Sequence, residues 1–285
     1  MAEDSGNASD EGGEALPPEG GTVEAIVEQV VTLVIAIAIA LLIRQVLIEP
    51  FRIPSGSMFP TLLEGDHLFV NKLSYGPRIP FTDLRLPGFR EPERGDIVVF
   101  EVARPMQRGY PDTMAVDRAP KGSRSEDFVK RLVGLPGDEI SWRHGQVFVN
   151  GEPLAMQQVP EGWTEKESGK FYDRHIEDLG ECRHSVLYDP LPRNWRLERG
   201  GPILVEPGRY FMMGDNRDNS KDSREWGTVR LEELKGPAFI LYWSWNVNGN
   251  MLSFFNPVNW FTAEKRWDRM FKGLDCDPVP GGADG

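Results

Sequence analysis

From Val30 to Ile43 the chain carries no charged or strongly polar side chain, and no other feature restricts its fold as much. Extended to Val23–Ile48, with Glu24, Glu28, Arg44 and Gln45 near its two ends, this segment is long enough for a helix to cross a hydrocarbon layer that requires about 20 residues. In lipid it must be helical, because every backbone N–H and C=O has to be satisfied within the segment. No polar stripe runs along Val30–Ile43, which argues against a helix of a soluble core. The start is acidic rather than basic and no small-residue cleavage site is evident, which argues against a removable leader. The expectation is a retained membrane anchor over residues 23–49, held in a lipid bilayer. Ahead of it, residues 1–22 are acidic and rich in Gly, Pro and Ser, with too little apolar surface to offset ordering entropy, and read as a disordered acidic tail.

Beyond the anchor, short apolar runs alternate with Gly, Pro and Asp turns. Strand character follows Glu64-Gly65-Asp66 through Lys72, recurs at Ile97–Phe100 after Arg94-Gly95-Asp96, and again over Phe128–Leu135. Gln146–Val149 leads into Asn150-Gly151, the preferred pair for a type I′ hairpin turn, and Tyr210–Met213 and Ala238–Trp243 complete the set. With hardly a soluble amphipathic helix among them, these runs predict an all-β, mostly antiparallel ectodomain. Residues 101–127 and 152–207 are rich in charge, Pro and Gly, and read as insertions displayed from the sheet without chemistry of their own. Between Pro237 and Trp267 lie Phe239, Tyr242, Trp243, Trp245, Phe254, Phe255, Trp260 and Phe261, either a β core with a large aromatic loop or a surface that dips into the headgroup layer.

The 44 acidic against 32 basic residues argue against a nucleic-acid partner, which requires basic patches. His67, His144, His175 and His184 stand in no metal-ligand spacing with Cys182 and Cys276, so neither a metal nor another cofactor is expected. The two cysteines form one disulfide in an oxidising compartment or remain two thiols; the sequence leaves both open.

Chemistry points first to Pro54-Ser55-Gly56-Ser57-Met58-Phe59-Pro60, where two prolines bracket two hydroxyls and several backbone N–H groups, a start for a nucleophile and an oxyanion hole. A serine hydroxyl needs a base, and none of the histidines sits in a triad-like setting. Lys130 stands in the apolar run Phe128–Leu135, where alternation places it on the face of Phe128 and Leu132 and turns Arg131 to the other. A lysine on an apolar face loses hydration and its pKa falls toward the range a general base requires. A third stretch, Gly214–Arg224, packs serines, aspartates and asparagines densely enough to form a buried polar scaffold, with Asp222 paired to Arg224 and a serine hydroxyl reaching the lysine amine.

Pro54–Met58, Gly95–Phe100, Lys130–Asp138 and Gly214–Arg224 occur in the order and setting of bacterial type I signal peptidases, and the chain closely resembles that family up to about Trp245 and again at Arg266–Arg269. The resemblance implies that Ser57 is the nucleophile and Lys130 its general base. Ser55 then supplies a side-chain donor to the oxyanion hole beside the Ser57 N–H, Ser220 orients the amine, Asp222 and Arg224 form a supporting ion pair, and Asp215 supports them from behind. It also implies cleavage of preprotein signal peptides after small residues in an Ala-X-Ala pattern at the outer face of the cytoplasmic membrane. That orientation overrides a positive-inside count resting only on Arg44 and Arg52. On this reading residues 50–151 and 208–275 form a catalytic β domain, 152–207 an inserted subdomain and 276–285 a flexible tail. The competing readings are a repressor-type Ser-Lys autoprotease, which needs a DNA-binding module that residues 1–49 do not offer, and an anchored relative that grips peptides without cutting them.

Overall fold

The computed structural model describes residues 21–77, 84–106, 109, 111–191, 199–246, 258, 262–274 and 276, and divides into two units between Ile43 and Arg44. The first is built on helix α1 (Gly21–Val46), in which Val23–Leu41 has a mean hydropathy of 2.2 and contains no buried residue. Apolar surface of that extent is stable against lipid rather than water. The helix stops short of the expected boundary at residue 49, because Pro50 disfavours helical geometry at Glu49, and Ile48 and Glu49 are already extended.

The second unit is made of strands: β1 (Ile48–Arg52), β2 (Asp66–Asn71), β3 (Ile97–Arg104), β4 (Arg124–Gly134), β5 (Glu139–Arg143), β6 (Gln146–Val149), β7 (Glu152–Pro153), β8 (Ala155–Thr164), β9 (Phe171–Asp178), β10 (Arg183–Tyr188), β11 (Arg199–Leu204), β12 (Arg209–Met213), β13 (Val229–Arg230), β14 (Leu234–Asn246), β15 (Glu264–Lys265) and β16 (Lys272–Gly273). The main sheet runs β1-β2-β14-β3-β4-β12-β13, with β15 and β16 added to β14, and its pairings are antiparallel. Alternation along β3 sends Ile97 and Val99 into a core with Ile53, Met58 and Leu68, and Val98, Phe100 and Val102 into a second with Leu132 and Met212. Strand β14 changes partner along its length, meeting β3 through Leu234–Pro237 and β2 from Ala238 to Ser244. The Asn150-Gly151 turn has the positive φ values, 54° and 83°, that a type I′ hairpin requires.

Two expectations change. Residues 101–127 are not simply displayed from the sheet, because Glu101–Arg104 and Arg124–Asp127 continue the β3–β4 ladder, with Lys235 reaching Asp127 at 2.8 Å. Within 152–207, β8, β9 and β10 form their own sheet, β11 pairs back onto β5, and Tyr172, Val186, Leu187 and Val205 are buried. Polar positions on both faces of β8 hide these strands from a search for alternation. Of the aromatic cluster, Trp245 is fully buried and Phe69 stacks against Phe239 and Tyr242, whereas Phe254, Phe255, Trp260 and Phe261 lie outside the described residues.

Cys182 and Cys276 are joined by a disulfide across a sequence separation of 94. The bond packs on Gly95, whose φ of +101° suits glycine and where a Cβ would come within 2.5 Å of Cys182 Sγ. Closing a loop of that size restricts the unfolded chain by about 4.7 kcal/mol in the chain-entropy account, and native disulfides typically contribute about 2–5 kcal/mol. Cys276→Ser should therefore lower the melting temperature by about 5–15 °C. Calorimetry with and without reductant checks this, and the wild-type protein in reductant should melt with the variant.

Candidate active site

The serine turn is a single 3₁₀ turn over Gly56–Met58, closed by the Phe59 N–H donating to Gly56 O at 3.2 Å. Gly56 has no room for a side chain, since a Cβ would lie 2.5 Å from the Phe59 ring. Met58 is buried in the core beneath, which fixes the turn and leaves Ser57 half-buried at its surface. On β4, paired across to Val98, Lys130 points its amine at this turn and donates to Ser57 Oγ at 2.7 Å and to Val129 O at 3.0 Å. The amine lies 5.3 Å from the Phe128 ring centre, the neighbour that strand alternation predicts. Lys130 is only 3% exposed. Burial pulls its pKa from 10.5 down to about 8, with Asp222 and Asp215 opposing the shift and Arg224 assisting it. Ser57 and Lys130 open onto a cavity of about 470 Å³ whose walls include Phe51, Ile53, Ser55, Phe128 and Val129.

The Gly214–Arg224 loop closes the site from behind. Gly214 N–H donates to Asp222 Oδ2 at 3.0 Å, and Arg224 grips the same carboxylate with Nε and Nη2 at 2.8 Å each. Burial raises the Asp222 pKa, but the Arg224 charge and hydrogen bonds more than reverse this and hold it below the usual carboxylate value. Ser220 is buried against Gly214, where a Cβ would meet Ser220 Oγ at 2.2 Å and Ser57 O at 2.6 Å. Among the described residues its hydroxyl is not a hydrogen-bond partner of the Lys130 amine, which donates to Ser57 and Val129. Ser55 stands exposed and extended on the cavity wall.

Asp215 lies on the far side of β4 from the amine and meets Arg131, which binds it through Nε at 2.9 Å and Nη2 at 2.7 Å and sends Nη1 to Gly95 O at 2.8 Å. Thr61 Oγ1 donates to Asp215 at 2.6 Å. A second buried pair, Arg217 with Glu177, ties the loop to β9, so the stretch expected to carry no chemistry supplies a counter-ion to the loop behind Ser57 and Lys130. Between the two carboxylates sits His184, 3.5 Å from Glu177 and 3.7 Å from Asp215. Burial, then the Arg131 charge, holds its pKa near 3 and keeps it neutral. Sequence reasoning did not single out Arg131, Arg217, Glu177, Thr61 or Asn216. The available signal was Arg131 itself, a charge in an otherwise apolar strand, which must find a buried acid.

A serine hydroxyl against a buried amine of lowered pKa, opening on a peptide-sized cavity, is equipped for acyl transfer in the manner of a serine peptidase. The model of the family "Signal peptidase, peptidase S26" matches residues 26–243, and the chain belongs to that family. It is 38% identical over 216 residues to signal peptidase I of Pseudomonas fluorescens, covering 72% of this chain and 68% of the relative. With signal peptidase I of Rickettsia typhi it shares 33% over 273 residues, 89% of this chain and 96% of the relative. A crystal structure of signal peptidase I from Enterococcus faecalis overlays with a TM-score of 0.28 at 22% identity, covering 52% of this chain and 97% of that one.

Proposed function

We propose that this chain is a membrane-anchored serine endopeptidase that removes signal peptides from exported preproteins, cleaving after small residues in an Ala-X-Ala pattern. The observation that carries the reading is the 2.7 Å contact between Ser57 Oγ and the buried Lys130 amine. With the amine neutral, the hydroxyl donates to Nζ and Ser57 attacks the scissile carbonyl as its proton passes to Lys130. The Ser57 N–H and the Ser55 hydroxyl receive the oxyanion. Lys130 returns the proton to the leaving amine, then activates the water that releases the acyl group. Asp222 with Arg224, and Asp215 with Arg131, hold the elements that carry these groups, and Ser220 is the buried hydroxyl available to orient the amine after Ser57 is acylated.

Residues 50–151 and 208–275 act as the catalytic body, with 152–207 as its insertion. The anchor keeps the peptidase on the bilayer that holds the apolar part of its substrate, raising the effective concentration without new contacts. Its amino terminus lies in the cytoplasm and its β unit outside. The test incubates the purified full chain in detergent with a preprotein and sequences the product amino terminus. A single cut after Ala-X-Ala is expected from the wild-type protein and none from Ser57→Ala. Undiminished cleavage by that variant would overturn the assignment, and tight substrate binding by the wild-type protein with no hydrolysis would identify a non-cleaving relative.

A further inference from the structure

One buried side chain grips the nucleophile's own peptide group. Asn216 is fully buried, donates from Nδ2 to Gly56 O at 3.0 Å, and donates from its backbone N–H to Ser57 O at 3.1 Å. Gly56 O and the Ser57 N–H are opposite ends of one trans peptide plane. Fixing the oxygen therefore fixes the direction of the N–H. Hydrogen bonding at the carbonyl also polarises the amide, which makes the N–H at its other end a stronger donor. Because Gly56 O already accepts from the Phe59 N–H at 3.2 Å, the second bond from Asn216 completes its two acceptor positions.

Asn216 is itself held firmly. Its backbone bridges Leu187 of β10, the Leu187 N–H donates to Asp215 O at 2.8 Å, and the Asn219 N–H donates to Asn216 O at 3.0 Å. Absence of a side chain at Gly214 lets the loop approach Ser57 O closely enough for the backbone bond to form. The amide is thus presented to the serine turn by two elements independent of the turn.

We infer that Asn216 is a positioning residue for the oxyanion hole: through Gly56 O it sets the direction and donor strength of the Ser57 N–H. This rests on the reading of Ser57 as nucleophile. Asn216→Ala removes the side-chain donor and leaves the backbone bond. It should lower kcat about 10–100-fold, less than the roughly 10²–10³-fold loss on deleting an oxyanion donor outright, with KM for a preprotein unchanged. Affinity for a peptide boronate, whose tetrahedral adduct on Ser57 puts an oxygen in the hole, should fall by the same factor. The acid limb of the pH profile should stay where it is, because Lys130 is untouched.

Asn216→Leu fills a similar volume and removes Asn216 Oδ1, which has no hydrogen-bond partner among the described residues, so it reports the same loss if alanine impairs folding. Wild-type kcat and boronate affinity in either folded variant would overturn the inference. So would a rise in KM alone, or a displaced acid limb. Ser57→Ala and Lys130→Met run alongside: if these still cleave, the reading of the nucleophile fails; if they are inactive and both Asn216 variants turn over normally, only the clamp fails.

Discussion

Lys130→Met should reduce preprotein cleavage by about 10³-fold or more, to the level of Ser57→Ala, because a serine hydroxyl deprived of its base stays protonated. The wild-type enzyme should show the same dependence as a titration. Its kcat/KM should rise with pH through an acid limb near 8, the value to which burial lowers the amine, as the proton leaves Lys130. The same substitution should also make the protein more stable. Holding a charged amine at pH 7 in a site that lowers its pKa from 10.5 to about 8 costs about 3 kcal/mol, at about 1.4 kcal/mol per pH unit. Below pH 8 both states bind the proton and this cost is constant. Between about 8 and 10.5 only the unfolded chain binds it, so wild-type stability rises with pH across that window. Methionine removes both the cost and the slope. Kinetics across pH 6–10, with melting curves at pH 7 and pH 10, check the set; a Met variant that melts below wild type at pH 7 would contradict burial as the source of the shift.

Asp215→Ala should cost about 3–5 kcal/mol of stability, since it leaves the Arg131 guanidinium, 2% exposed, buried without its counter-charge. Burial raises the Asp215 pKa, yet the charge and hydrogen bonds of Arg131 outweigh it and hold the pKa below the usual value. The stability from this pair is therefore present above about pH 4 and lost as pH falls through the lowered value. Urea unfolding at pH 7 measures the loss. The double variant Arg131→Met/Asp215→Leu should recover most of it, because removing both charges leaves neither uncompensated. Activity should not return with it. Arg131 is adjacent to Lys130 and Asp215 to Asn216, and the pair fastens β4 to the loop behind the serine turn.

The Ser57–Lys130 contact was legible because both partners break a local rule. Lys130 is a charge on an apolar strand face, and the serine turn places two hydroxyls between prolines for no evident packing reason. The Asp222–Arg224 pair was legible because its members are two residues apart. Arg131–Asp215 was only half legible: alternation turned Arg131 away from Lys130, but its acid lies 84 positions along the chain and local pattern does not connect them. The disulfide is harder still, since two cysteines with a separation of 94 carry no pairing signal of their own. Among the strands, β3 and the second half of β4, Lys130–Gly134, are buried on both faces and announce themselves, whereas β8 has polar residues on both faces and is recognised only through its partner β9.

The change of partner along β14 bears on when the enzyme becomes active. The serine turn belongs to the β1–β2 pair and the lysine to the β3–β4 pair, and between them in the sheet lies only β14, at residues 234–246 of a 285-residue chain. A nascent chain emerging from the ribosome can form each hairpin early, since their contacts are local, but the sheet that seats one beside the other closes only when β14 joins them. On the proposed roles of Ser57 and Lys130, a translation product cut off before β14 would hold both halves of the site without the strand that joins them in one sheet.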